Sequence, residues 1–194
     1  SIVESDALLY AELQRIFRLR QPQTLLGDVL ELHRGFDLPV QRRIPGPYPV
    51  FAANGEVGRH VESRVKGPGI CTGRSGSVGA VNYVEEDFWP LNTALYVSDF
   101  KGNYPRLVYY LLLSVASDLK RIGAHTAVPT LDRKRAHSQI KVHVPHCSEQ
   151  YDIAAHLDRL AAKVKTLKQL QTETTDKLDT MLPSMLDMAF KGEL

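Results

Sequence analysis

The stretch of this chain best suited to close contact with a ligand is Gly73-Arg74-Ser75-Gly76-Ser77-Val78-Gly79. It lacks the Gly-Lys-Ser/Thr ending of a nucleotide-binding loop and the spacing of a dinucleotide fingerprint, so no cofactor is expected there. Two accounts remain. In one, it is a glycine turn between strands that uses positive φ angles. In the other, close backbone approach lets amide groups, Arg74, Ser75 and Ser77 touch phosphate or base, Arg being suited to the two acceptors of guanine. Asn54-Gly55 is first a turn dipeptide, although Asn54 carries the amide that can read adenine. Arg34, Arg42 and Arg43 flank a proline-rich loop, and His125-Thr126 and Arg133-Lys134-Arg135 bracket the loop before the last predicted strand. Each is a candidate for contact with a phosphate backbone, and each could equally be a solvated surface group.

A rival chemistry is hydrolytic. Asp87 with Asp99-Phe100-Lys101 faintly imitates the acid, then acid-x-Lys arrangement in which carboxylates hold Mg²⁺ and a lysine polarises phosphate. Such pairs arise readily by chance, and Asp99 also fits a loop after a strand. The seven histidines show no ligand spacing, a His-Glu-x-x-His site is missing, and the aromatic and glycine motifs of an adenine methyltransferase are missing too. The expectation is a protein without catalytic residues, metal or cofactor. Trp89, between Phe88 and Pro90, is expected in the core rather than as a platform for bases.

These residues need a scaffold, and 194 residues suffice for one substantial core plus an appended element. The 43% hydrophobic and 24% charged composition is that of a soluble globular protein, with no apolar run near the ~18 residues that span a bilayer and no visible secretory leader. Two cysteines, Cys71 and Cys147, read as small core residues of a reduced, cytoplasmic protein. The net charge of +2 hides an asymmetry. Residues 101–147 hold eight Lys/Arg against Asp118 and Asp132, whereas residues 148–194 hold six against eight acids. That local basic excess suits a phosphate backbone.

Along the chain, Leu9, Leu13, Ile16 and Phe17 predict a helix over 4–20, capped by Ser5 or Asp6 and closed before Pro22. A short helix or strand follows over 25–34, then irregular chain through Pro39, Pro45, Pro47 and Pro49. Apolar runs separated by Gly and Asn between Val50 and Val97 predict short strands with tight turns. Pro105 introduces one apolar helix to Ile122, ended by Gly123. A loop over 123–139 and a strand Ile140–Val144 complete a mixed, β-rich α+β unit.

From about Gln150 to Leu194 the sequence reads as one long helix. Its seam is Ile153, Leu157, Leu160, Val164, Leu167, Gln171, Thr174, Leu178, Met181, Met185 and Met188, nine of eleven being apolar. A mean period of 3.5 kept over roughly 35 residues winds two helices together. Some 40 residues extend about 60 Å, so much of the helix should project as a spacer. Gln171 and Thr174 would fix register at its middle, and Pro183 should kink or break its far end. The alternative is an amphipathic helix folded back on its own domain.

Several stretches together resemble the specificity subunit of type I restriction-modification enzymes. They are Leu26-Gly27-Asp28-Val29 with Arg34-Gly35, Tyr48–His60, Gly67–Val97, Ala127–Pro145, Glu149-Gln150 with Ile153-Ala154, and the ending Leu186–Leu194. The resemblance covers nearly everything after residue 25 and implies the division 25–147 target recognition domain and 148–194 helical spacer and dimerisation stalk; the N-terminal helix of 1–24 lies outside it. The resemblance implies a non-catalytic subunit that binds double-stranded DNA and docks methyltransferase subunits, and restriction subunits where present. In that family the domain and spacer occur twice per full-length subunit; here they occur once. A half-size subunit pairing with a second copy, or a piece of a larger chain, would account for this. For a homodimer, two-fold symmetry demands an inverted repeat of two half-sites. The competing class is a coiled-coil assembly module that never meets DNA.

Overall fold

The computed structural model describes the backbone of residues 2–124 and 129–191, and the side chains of residues 7–124, 129–178 and 181. The elements run α1 (Ile2–Phe17), β1 (Thr24–Leu25), α2 (Leu26–Val29), β2 (Glu31–Arg34), a 3₁₀ turn (Val40–Arg42), β3 (Tyr48–Ala52), β4 (Gly55–His60), β5 (Gly69–Gly73), β6 (Val81–Val84), β7 (Trp89–Pro90) and β8 (Ala94–Asp99). They continue with α3 (Pro105–Ser114), α4 (Ala116–Gly123), α5 (Arg133–Gln139), β9 (Lys141–Val142) and α6 (Cys147–Lys191). This is a mixed α+β architecture with a long C-terminal helix. The chain divides into two compact units, one spanning Leu13–Ala154 and the other formed by α1 up to Glu12 with α6 from Ala155 onward.

Within the larger unit, the described residues form three sheets: β2-β8-β5-β6, β4-β3-β7, and the pair β1-β9. The first is antiparallel throughout, with Cys71 facing Tyr96 on one side and Asn82 on the other. Every residue of β5 is buried, as befits an inner strand with both faces covered. The β3–β7 pairing is parallel, Val50 opposite Trp89. α3 begins with Pro105 at its first turn, where no amide partner is needed, and buries Leu107, Val108, Tyr110, Leu111 and Leu112.

Four expectations are corrected. Ser5 and Asp6 lie inside α1 rather than capping it. The helix predicted over 106–122 is two helices, interrupted at Val115 (φ −108°, ψ 8°). The Ser114 carbonyl takes the Gln14 side-chain amide at 2.8 Å and the Ser114 hydroxyl turns back to the Leu111 carbonyl at 2.6 Å. A carbonyl engaged from outside the helix and a hydroxyl bonded to the preceding turn favour a break there. The predicted loop over 123–139 contains α5, whose N-cap Asp132 accepts the amides of Lys134 at 2.9 Å and Arg135 at 3.4 Å. Cys147 is exposed at the start of α6, while Cys71 is buried as expected. Burial alone pushes the Cys71 thiol far above its usual range, so it stays protonated.

α6 has 45 residues, which at ~1.5 Å each amounts to roughly 68 Å. It continues through Pro183 instead of ending there. Leu157 and Val164 of the predicted seam are buried, whereas Leu167, Leu178 and Met181 are exposed. The Met185 and Met188 side chains lie outside the described residues. At the root of α6, buried Gln150 accepts the Tyr104 amide at 2.7 Å and donates to Asn103 Oδ1 at 2.8 Å and the Pro145 carbonyl at 3.1 Å. Among the described residues, no helix is long and apolar enough to cross a membrane.

Candidate nucleic-acid interface

Arg34 at the end of β2, Arg74 after β5 and Arg133 at the start of α5 line one cleft of about 530 Å³, together with His33 and Thr130. Three sequence candidates separated by 40 to 99 positions thus converge. The glycine loop reaches this place by main-chain bonds. The amides of Arg74 and Ser75 both bond to the Thr93 carbonyl, at 2.9 and 3.1 Å, and the Leu131 amide bonds to the Arg74 carbonyl at 2.7 Å. Gly76 (φ 82°) and Gly79 (φ 83°) adopt the positive φ expected of the turn. Gly73 is needed for a different reason, since a Cβ there would lie 1.9 Å from the Ser77 carbonyl oxygen.

The cleft's charge is positive and largely uncompensated. Arg133 donates from Nη1 to the Leu32 carbonyl at 2.9 Å and Arg74 to the Asn92 carbonyl at 3.2 Å, neutral partners that aim the guanidinium without cancelling it. Asp132 lies in the same cleft, but its carboxylate is occupied by the first amides of α5. Among the described residues, Arg34 is the arginine of this cleft with an ion pair, to Asp37 at 3.8 Å, and both side chains are exposed. By contrast, Arg18 pairs with Asp118 at 2.6 Å and Arg59 with Glu86 at 2.5 Å, which raises the Arg59 pKa further.

A second cleft, of about 440 Å³, holds Arg42 and Arg64 beside Phe36, His60 and Trp89. Rings join the two clefts. His33 lies 6.3 Å from Tyr96, Tyr96 stacks on Phe36 at 5.8 Å, Phe36 meets Trp89 edge-on at 6.3 Å, and His60 meets Trp89 edge-on at 5.3 Å. Trp89 is buried with Leu38, Val50 and Leu91, in agreement with the core expectation. Burial of Tyr96 raises its phenol pKa, keeping it a neutral donor.

The remaining candidates do not gather here. Arg43 donates to the Leu38 carbonyl at 3.4 Å and braces the proline-rich loop. Asn54 is exposed in the β3–β4 turn, and Lys134 is exposed on α5. Ser75 is held in a bridge to Thr130, and Ser77 borders a different cleft with Lys120 and Pro129. His125 and Thr126 lie outside the described residues. Sequence reasoning missed Arg64, Phe36, His60 and Tyr96, whose roles appear only when separate strands bring them together. The hydrolytic constellation is engaged locally: Asp87 accepts the Gly67 amide at 2.9 Å, while Asp99 pairs with Lys101 Nζ at 3.1 Å. The Lys101 amide and ammonium hold the Asp99 carboxyl below its usual range. Among the described residues, no group of three or more His, Cys, Asp or Glu is placed to hold a metal.

The architecture is that of type I restriction-modification specificity subunits. Three solved structures share it, each at an identity low enough that only the fold is implied. One, from work on complex assembly and conformational transition of the type I R-M system, has a TM-score of 0.80 and 19% identity, covering 100% of this chain and 53% of that one. The HsdS subunit of Thermoanaerobacter tengcongensis gives 0.70 and 19%, covering 100% and 52%. The S subunit from M. genitalium gives 0.67 and 21%, covering 93% and 52%. The chain thus spans about half the length of these structures. The family described as type I restriction modification DNA specificity domain matches residues 24–175, and the chain belongs to it. No curated protein matches.

Proposed function

We propose that this chain reads one half-site of a bipartite DNA target for a type I restriction-modification enzyme, without catalysing a reaction itself. The domain presents its two clefts to the duplex. α6 acts as a spacer that pairs with a second copy and docks methyltransferase subunits, and restriction subunits where present, in the cytoplasm. The observation that carries this reading is the convergence of Arg42, Arg64, Arg74 and Arg133, all without a carboxylate partner among the described residues, on adjoining clefts. Uncompensated guanidiniums gathered on one side raise the local potential for a polyanion. Arg74 and Arg133, fixed by neutral main-chain acceptors, also retain donors for phosphate or base edges.

A salt titration of duplex binding tests it. The logarithm of affinity should fall linearly with the logarithm of salt concentration, and Arg74→Ala or Arg133→Ala should each reduce that slope by about 1. Binding insensitive to salt would refute the reading. Selection from a random duplex library should return two short motifs separated by unread base pairs, in inverted orientation if two copies act together.

A further inference from the structure

Arg64 lies between β4 and β5, its amide bonded to the Phe88 carbonyl at 2.9 Å. Its guanidinium carbon stands 4.8 Å from the centroid of the Trp89 ring and 6.0 Å from that of Phe36. The ring beneath it is fixed, since Trp89 is 5% exposed and is gripped edge-on by His60 and Phe36. Arg64 itself is exposed. Although Asp37 and Glu62 line the same cleft, the ion pairs among the described residues do not include Arg64.

A guanidinium stacked on an aromatic ring spends its π face on the stack and keeps its N–H edge free. The stack also removes side-chain freedom before a ligand arrives, so less entropy is lost on binding. A phosphate can be met by any mobile cation; a guanidinium seated over a fixed ring is restrained, and its fork of donors suits a planar partner with two acceptors. In duplex DNA that partner is the O6/N7 edge of guanine in the major groove. Resting on the DNA-reading function given above, we propose that Arg64 is a specificity-determining residue that reads a guanine of the half-site, with Arg42 across the cleft serving the backbone.

Library selection with the full chain and with Arg64→Lys tests this, because lysine keeps the charge and loses the fork. The wild-type motif should contain a guanine position at which Arg64→Lys loses about tenfold in discrimination while the rest of the motif persists. Arg42→Ala should weaken all sequences evenly. Arg64→Met, which keeps an apolar stem over Trp89, is the second variant should the lysine form fail to fold, thermal melting reporting on both. Replacing the guanine by 7-deazaguanine, which lacks the N7 acceptor, should weaken the wild-type chain several-fold and leave Arg64→Met, which has no donor, unaffected. A motif unchanged in the variants, or containing no guanine sensitive to 7-deaza substitution, overturns the role of Arg64 and leaves DNA reading intact. Absence of any enriched motif for the wild-type chain overturns both.

Discussion

His137 Nε2 accepts the Leu32 amide hydrogen at 3.1 Å, and from the same helix Arg133 donates to the Leu32 carbonyl. β2 is an edge strand of its sheet, and α5 thus occupies both main-chain groups of an edge residue that would otherwise be open to pairing with another chain. Gly27 permits the approach of α2, since a Cβ there would come 2.9 Å from the His137 Cβ. The Arg34–Arg133 side of the first cleft is therefore set by this joint between α5 and β2.

The joint should be sensitive to acid. As an acceptor at Nε2, the ring must be neutral with its proton on Nδ1, and burial, followed by the nearby Arg133, lowers the His137 pKa, with Glu31 opposing and His33 and Lys101 assisting. A histidine whose folded pKa lies below its unfolded value contributes stability that is present above about pH 6.5 and is lost as pH falls through the folded value. Thermal melting between pH 7.5 and 5 should show a falling midpoint, and His137→Gln, which keeps an acceptor, should flatten that slope. An equal slope in the variant would disprove the assignment. His137→Ala leaves the buried Leu32 amide unpaired and should cost about 1–3 kcal/mol.

Gly73 and Gly76 make a contrasting pair. At Gly76 (φ 82°) nothing lies within 4 Å of an added Cβ, so Gly76→Ala should cost about 1 kcal/mol, from the left-handed backbone alone. At Gly73 the added carbon would also meet the Ala53 carbonyl oxygen at 2.8 Å. Two backbone segments must then shift, and Gly73→Ala should cost about 3 kcal/mol or more and displace Arg74. Urea unfolding of both variants measures the difference; equal losses would contradict the packing argument.

What the sequence revealed follows from the range over which each feature is decided. The heptad seam, Pro105 and the Gly/Asn punctuation of the strands are local, and α6, the start of α3 and the β-rich middle were legible from them. The break at Val115 was not, because it depends on Gln14, a hundred residues away. Nor was α5, a helix of seven residues in which only Ala136 is buried. In the site, residue type and neighbouring Gly or Pro singled out Arg34, Arg42 and Arg74, and a basic run beside a predicted loop singled out Arg133. Nothing in the run Val61-Glu62-Ser63-Arg64 signals a stack whose other members, Phe36 and Trp89, come from distant segments.

Gln150 ties the first turn of α6 to the domain through three hydrogen bonds, and Asn103 carries the connection onward to the Val29 carbonyl at 2.9 Å. Gln150 is 3% exposed, so water cannot readily replace it. Gln150→Leu would leave the Tyr104 amide, Asn103 Oδ1 and the Pro145 carbonyl without this partner and should cost about 2–4 kcal/mol. A loss below about 0.5 kcal/mol in denaturant unfolding would show that the network is dispensable.

Pairing through α6 is tested on its exposed half. Leu167, Leu178 and Met181 are 46, 56 and 55% exposed, and they continue the seam begun by buried Leu157 and Val164. An apolar stripe at heptad spacing left open to water is stabilised when a second helix covers it, each leucine contributing about 1.5–3 kcal/mol once buried. Between the two halves, Gln171 Oε1 is buried with no hydrogen-bond partner among the described residues, while Thr174 turns its hydroxyl back to the Leu170 carbonyl at 2.7 Å. Light scattering should therefore give the mass of two chains, falling to one for Leu178→Asp, because a carboxylate in the seam has no partner there. Gln171→Leu should tighten the pair while loosening its register. A single-chain mass for the unaltered protein across micromolar concentrations would rule out pairing of copies through this helix.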